Sequence, residues 1–247
     1  DIATHEARWR YETPTENYSA PSVAGELLIW GGLDGRIHAL NAADAQPAWT
    51  FPTSDIIFSA PAIAGEMAYV GSNDKYLYAL DTATGRMQWQ FRADSGVSSP
   101  VIADGVVYVA SHSGILTAID ARSGTRIWSK TFGSRQGPVI GGDLLYVVGT
   151  NSKVAAINKI DGKVAWVREL PEFRDNNVEN RIVWTGPLLA SNRVVIASSE
   201  GDVIALSPQN GETLADIKLG QPVYIEPIAA NGKIFVLTDQ AQLVAIK

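Results

Sequence analysis

Short hydrophobic runs separated by polar turns fill the whole chain, and the pattern repeats. One complete unit contains four runs rich in strand-forming residues, and the turns between them carry Gly. The runs cover residues 59–64, 67–70, 76–80 and 87–91. Runs of this length, bounded by turn residues, are typical of β-strands. A four-stranded unit that recurs about every 40 residues predicts one blade of a β-propeller.

Six copies of the unit align on a small residue and an aromatic residue. An alanine followed by Leu or Ile recurs at Ala39, Ala79, Ala118, Ala156, Ala205 and Ala245. The aromatic anchors are Trp9, Trp49, Trp89, Trp128 and Trp166, and Ala215 stands at the sixth position. One interpretation is a row of aromatic binding sites. Because the residues recur in register, we favour structural indoles that pack between neighbouring blades.

The two ends of the chain together supply one complete repeat. The residues after Ala215 predict three strands, and residues 7–11 predict a fourth. We therefore predict an all-β, six-bladed β-propeller of four-stranded antiparallel blades, forming a single domain over residues 1–247. The N-terminal strand 7–11 would join the C-terminal blade and close the ring, which removes exposed sheet edges.

The turns carry conformational signals of their own. Asp104-Gly105 and Asn231-Gly232 stand at the first hairpin of their blades, where positive φ is needed. Glycines recur before the fourth strand for the same backbone reason, at Gly85, Gly124, Gly162 and Gly211.

Composition and charge exclude several kinds of partner and site. The net charge is −6 and no basic run is present, so we expect no nucleic-acid partner. The chain has no cysteine, which excludes disulfides and thiol chemistry in it. No apolar stretch reaches the roughly 18 residues of a transmembrane segment. Asp1 aligns with Asp81 inside the repeat, so we expect an upstream segment in which an export signal or a lipid anchor would lie.

The sequence resembles a known repeat family along essentially its whole length. Residues 79–89, Ala-Leu-Asp-Thr-Ala-Thr-Gly-Arg-Met-Gln-Trp, resemble the PQQ-like repeat of quinoprotein dehydrogenases. Residues 226–239 and 181–190 are similar to segments of the BamB family of outer-membrane protein assembly lipoproteins. This resemblance implies a periplasmic scaffold, tethered to the outer membrane, that binds the barrel-inserting machine through loops on one face. That family has eight blades, whereas six are counted here, and its lipidated cysteine is absent from this sequence.

No motif for catalysis is present. A quinoprotein needs a Ca²⁺ site of oxygen ligands, but the acidic residues mostly stand in repeat turns, as do Asp34, Asp74, Asp81 and Asp120. Aspartate in a turn usually accepts hydrogen bonds from its own backbone. The three histidines give no metal constellation. We therefore predict no catalytic residue, no metal site and no cofactor.

One segment breaks the repeat. The anchor interval from Trp166 to Ala215 is 49 residues, and the extra residues form a loop insertion over 171–185. Insertions in repeat proteins map to loops on one face, which is often the binding face. The candidate partner-binding residues are Phe173, Arg174, Asp175, Arg181 and Trp184, together with Tyr224 and Glu226 in the loop before the closing blade. The alternative is a solvated loop with Phe173 and Trp184 folded back over the propeller.

We predict a monomeric, non-catalytic protein-binding scaffold that supports outer-membrane β-barrel protein assembly, with the barrel assembly machine as its partner. One alternative is a quinoprotein-like or sensor propeller that binds a cofactor or small molecule in its central channel. Another is an engineered or shortened propeller scaffold without native activity.

Overall fold

A computed structural model describes residues 5–132, 134, 136–174 and 179–246 of the 247-residue chain. These residues form 23 β-strands, grouped in chain order into six antiparallel sheets, and no helix occurs among them. The all-β class and the six repeats predicted from the sequence are thereby confirmed. In the part of the chain that the structure describes, no apolar helix of membrane-spanning length is present.

The strand bounds follow the repeat. The first sheet contains β1 (Ser22–Ala24), β2 (Leu27–Gly31), β3 (Arg36–Asn41) and β4 (Pro47–Pro52). The second contains β5 (Ala62–Ala64), β6 (Met67–Gly71), β7 (Tyr76–Asp81) and β8 (Met87–Arg92). The third contains β9 (Val101–Ala103), β10 (Val106–Ala110), β11 (Ile115–Asp120) and β12 (Arg126–Thr131).

The remaining sheets repeat this order. The fourth contains β13 (Val139–Gly141), β14 (Leu144–Val148), β15 (Lys153–Asn158) and β16 (Val164–Glu169). The fifth contains β17 (Trp184–Ala190), β18 (Arg193–Ser198), β19 (Asp202–Leu206) and β20 (Thr213–Lys218). The sixth has three strands, β21 (Ile228–Ala230), β22 (Lys233–Leu237) and β23 (Leu243–Ile246).

The chain divides into two compact units, each with its own core. One unit comprises residues 1–113 and 117–127, and the other comprises residues 114–116 and 128–247. The first two sheets lie in the first unit, the last three lie in the second, and the boundary falls within the third sheet. Pairing of residues 7–11 with the sixth sheet, closure of a ring and a single domain over 1–247 stay predictions. The structure assigns no strand to residues 7–11.

Burial within a sheet explains its sequence pattern. In the first five sheets the second and third strands are mostly buried, and they read as continuous hydrophobic runs, as in β7. The outermost strand β8 instead alternates, with half-buried Trp89 and Phe91 separated by the exposed Gln90. Ala79 pairs with Trp89 across the two strands, and a bulge follows between Ala79 and Leu80. The small alanine therefore leaves room for the indole in the same sheet.

Each anchor tryptophan also reaches the turn of a following sheet. The Trp49 Nε1 donates a hydrogen bond to the backbone oxygen of Thr82 at 2.8 Å. A Cβ on Gly85 would lie 2.6 Å from the Trp49 ring, so this glycine is the surface on which the indole lies. The equivalent hydrogen bonds run from Trp9 to Ala42 (2.9 Å), Trp89 to Ala121 (3.0 Å), Trp128 to Lys159 (3.1 Å) and Trp166 to Pro208 (2.8 Å).

The predicted strands and turns of the second repeat are confirmed, with one shift. The strand predicted over 59–64 begins only at Ala62. The Ser59 hydroxyl instead donates to the backbone oxygen of Gly71 at 2.5 Å, and Pro61 has no N–H for a ladder. Asp104 and Gly105 both have positive φ, 52° and 74°, as predicted for the hairpin turn.

Candidate partner-binding site

The loop insertion is held at its base by a short backbone ladder. Phe173 and Arg181 form an antiparallel β-bridge. The Arg174 N–H donates to the Asn180 oxygen at 3.0 Å, and the Ile182 N–H donates to the Glu172 oxygen at 2.8 Å. The two sides of the insertion between β16 and β17 are therefore paired at residues 172–174 and 180–182, and we call this paired segment the hairpin. Asp175, one of the predicted binding residues, lies outside the described residues.

Two arginines of this hairpin present charge to solvent while being oriented by ion pairs. The Arg174 Nε lies 2.9 Å from Glu200 Oε2. The Arg181 Nη2 lies 3.1 Å from Glu172 Oε1, and it also donates to the Thr150 backbone oxygen at 2.9 Å. The side chains remain 63% and 52% exposed. Exposed pairs of this kind add at most about 1 kcal/mol to stability, so their main effect is to orient the guanidinium groups.

Trp184 presents little surface for a partner. Its side chain is 8% exposed and packs in a buried cluster that includes Val148, Ile182 and Ile196. Its Nε1 donates to the Pro171 oxygen at 2.9 Å, which ties the start of the insertion to the first residue of β17. The indole is thus largely covered, and Trp184 as a partner-binding residue stays a prediction. This burial agrees with the part of the alternative in which Trp184 is folded back over the propeller.

A side chain from outside the insertion supports its end. The Gln136 Nε2 donates to Thr185 Oγ1 at 2.6 Å, and the Gly186 N–H donates to Gln136 Oε1 at 2.9 Å. Thr185 is 1% exposed, and both bonds are partly buried. Sequence reasoning missed Gln136, because it stands about 50 residues from its partners and in no repeated motif.

The structure brings three of the predicted binding residues, Arg181, Trp184 and Tyr224, to one depression. A cavity of about 340 Å³ next to the hairpin is lined by both Arg181 and Tyr224. Val183, Thr150 and Ser152 also line it, as does Trp184. Tyr224 is 51% exposed and Val183 is equally exposed at 51%. The depression thus combines one cation, hydroxyl groups and apolar surface, which is a composition suited to a protein side chain.

Two further predicted residues do not line the depression. Phe173 is half-buried in the hairpin. Glu226 is not part of the lining, and its residue surface is exposed. The protein atoms around its carboxyl nevertheless desolvate it and raise the pKa of Glu226.

The aspartates in the repeat turns accept hydrogen bonds from residues close to them in the chain. The Asp81 carboxylate accepts from the Thr84 N–H at 2.8 Å and from its hydroxyl at 2.6 Å, and these bonds lower the pKa of Asp81. The Asp74 carboxylate accepts from the Tyr78 hydroxyl at 2.7 Å. Across the described ranges, no group of three or more His, Asp and Glu side chains converges in a way that would hold a metal ion. The aspartates therefore serve their own turns, as predicted from their positions.

Comparisons with known proteins agree on one family. A family model described as "Outer membrane protein assembly factor BamB" matches residues 1–168 and 174–247. The proteins of that name from Salmonella typhimurium and Escherichia coli are each 28% identical over 121 residues, which is 49% of this chain. The aligned part is 29% of each relative, so the chain matches less than a third of their length.

The fold comparison covers more of the chain. The crystal structure of BamB from Moraxella catarrhalis matches with a TM-score of 0.80 at 20% identity. The match covers 96% of this chain and 72% of that one. The fold is thus that of a BamB-type β-propeller. With a family model that spans nearly all of its residues, the chain belongs to the family of the outer membrane protein assembly factor BamB.

Proposed function

We propose that this chain is a non-catalytic, periplasmic scaffold that binds a protein partner during the assembly of outer-membrane β-barrel proteins. The family to which it belongs supports this role, since its members are named as outer membrane protein assembly factors. The partner we propose is the barrel assembly machine, and the tether we propose is a lipid anchor on a segment before Asp1.

The observation that supports the proposal is the backbone pairing of residues 172–174 with residues 180–182 in the hairpin. A loop that only connects two strands needs no internal ladder, yet this one has backbone bonds on both sides of the Phe173–Arg181 bridge. A binding loop that is ordered before contact loses less conformational entropy when the partner arrives. The hairpin therefore suits a docking element.

The proposed contact residues have separate roles. Arg174 and Arg181 would meet carboxylates of the partner, because both guanidinium groups are exposed and already oriented. Tyr224 would supply the apolar anchor, since aromatic and Arg side chains carry most of the affinity in protein interfaces. Phe173, Asp175 and Glu226 would complete the rim. Trp184 would act indirectly, by keeping the hairpin in place.

The test is recovery of the barrel assembly machine from a Gram-negative envelope extract, with the chain as bait. The double variant Arg174→Ala/Tyr224→Ala should lose most of the recovered complex and keep the unfolding midpoint of the wild type. Arg193→Ala is the matched control, because Arg193 is an exposed arginine of β18 in the same unit but outside the hairpin. Equal recovery by the double variant and the wild type would refute the assignment of these residues. Failure of the wild type to recover the machine would refute the proposed function.

A further inference from the structure

Two large aromatic side chains are exposed side by side in the first unit. Tyr18 is 67% exposed and Phe58 is 47% exposed. Their ring centroids lie 6.3 Å apart, and the rings are inclined at 50°. Both residues are far from the hairpin residues in sequence, and they belong to the other compact unit. Adjacent exposed aromatic rings often mark a contact surface.

The propeller repeat does not require an aromatic residue at position 58. Ile57 and Val97 occupy the same place in successive repeats, at 0% and 3% exposure. The N–H of each donates to the carbonyl that follows β2 or β6, at 3.1 and 3.0 Å respectively. After Val97 the chain continues directly to the buried Ser98, whereas Phe58 stands between Ile57 and the buried Ser59. Phe58 is therefore an additional residue, since the equivalent turn in the next repeat closes without one.

The loops that carry the two rings bear only negative charge. Residues 12–18 and 53–58 contain Glu12, Glu16 and Asp55, and they contain no Lys, Arg or His. The Tyr18 hydroxyl donates to Glu16 Oε2 at 3.2 Å, which places a carboxylate at the edge of the ring pair. Aromatic faces attract cations through the ring quadrupole, and a nearby carboxylate strengthens that attraction. The chemistry of this surface is thus complementary to a positively charged side chain.

We propose that Tyr18 and Phe58 form a docking site for an extended, arginine-bearing peptide segment of a partner protein. In an extended strand, alternate side chains on one face are about 6.6 Å apart. The 6.3 Å spacing of the rings matches that distance, so residues i and i+2 of the segment would each meet one ring. An Arg at either position would stack on the ring and face the Glu16 carboxylate. This site is independent of the hairpin and of the function proposed for it.

The probe is a fluorescein-labelled peptide, Thr-Arg-Thr-Arg-Thr-Arg, titrated with the full chain and followed by fluorescence anisotropy. Its control is the same peptide with citrulline in place of each Arg, which keeps the shape and removes the charge. We expect saturable binding of the arginine peptide and at least about tenfold weaker binding of the citrulline peptide. Equal binding of both peptides, or no saturable binding of the arginine peptide, would overturn the proposal.

Variants of the chain locate the site. Tyr18→Ala/Phe58→Ala should weaken the arginine peptide by about tenfold, because both stacking faces are lost. Met87→Ala is the matched control, since Met87 is 45% exposed on β8 of the same unit, and it should change nothing. Glu16→Gln gives a second variant that leaves both rings in place, and about threefold weaker binding is expected. Wild-type affinity in both the double variant and Glu16→Gln would place the peptide elsewhere and overturn the proposal.

Discussion

Replacing Gly85 with Ala tests whether the anchor tryptophans need a glycine beneath them. Gly85 has φ +69°, and an added Cβ would lie 2.6 Å from the Trp49 ring. An L-residue in the left-handed region costs about 1–2 kcal/mol. The new methyl group would also push the indole away from the Thr82 oxygen, and loss of that hydrogen bond costs about 1 kcal/mol. We expect Gly85→Ala to lower the free energy of unfolding by about 3 kcal/mol once lost aromatic packing is included.

Gly65→Ala is the matched control in the same repeat. Gly65 has φ +58°, but nothing lies within 4 Å of the Cβ position. The control should therefore lose only the backbone contribution of about 1–2 kcal/mol. Urea denaturation of both variants, followed by tryptophan fluorescence and far-UV circular dichroism, measures the difference. Equal destabilisation by the two substitutions would refute the idea that position 85 needs glycine because the Trp49 ring lies against it.

A double-mutant cycle separates the two causes further. In a Trp49→Ala background the clash with the ring is absent, so Gly85→Ala should cost only the backbone contribution. If Gly85→Ala still lowered the free energy of unfolding by about 3 kcal/mol in that background, its destabilising effect would not depend on the indole.

We make three further predictions for residues of the second unit. Trp184→Ala should lower the free energy of unfolding by about 3–5 kcal/mol, because a buried indole is lost from the core, and an unchanged urea midpoint would contradict its burial. Gln136→Ala should cost about 1–3 kcal/mol through the unpaired Thr185 hydroxyl and Gly186 N–H, and Gln136→Glu, which retains an acceptor, should cost less. The protein atoms around the Glu226 carboxyl desolvate it and raise its pKa above the value of 4.5 in the unfolded chain, so the folded state binds the proton more tightly. Stability therefore falls as pH rises from about 4.5 through the pKa of the folded state. Glu226→Gln should abolish this fall and stabilise the chain at neutral pH but not below about pH 4, as thermal unfolding across pH would show.

The repeat was accessible to sequence reasoning because its signals are local. Alternation, turn glycines and the Asp104-Gly105 hairpin act within a few residues, so strands such as β6 and β7 fall within one residue of their predicted ends. The glycines before each fourth strand were also found, although only their backbone conformation was anticipated. That Gly85 carries the Trp49 ring depends on two residues from different repeats.

Only part of the candidate site could be predicted from the sequence. The 49-residue interval marks the insertion, and the residue types mark Arg174 and Arg181 as contact candidates. The solvent exposure of the candidate side chains could not be inferred in the same way. Trp184 breaks the anchor register, which suggested a role outside the core, and yet it lies in the core. Tyr224 and Arg181 share one depression although they stand more than 40 residues apart in the chain.

The sequence by itself therefore determined the strand order, the six-fold repetition, the turn conformations and the place of the insertion, since each depends on neighbours in the chain. Only the tertiary structure decided which aromatic rings face solvent. Trp184 is covered by its own loop, whereas Tyr18 and Phe58 stand outside the buried positions that Ile57 and Val97 fill. The physical reason is that burial depends on the volume left by residues distant in sequence, and no local pattern encodes that volume.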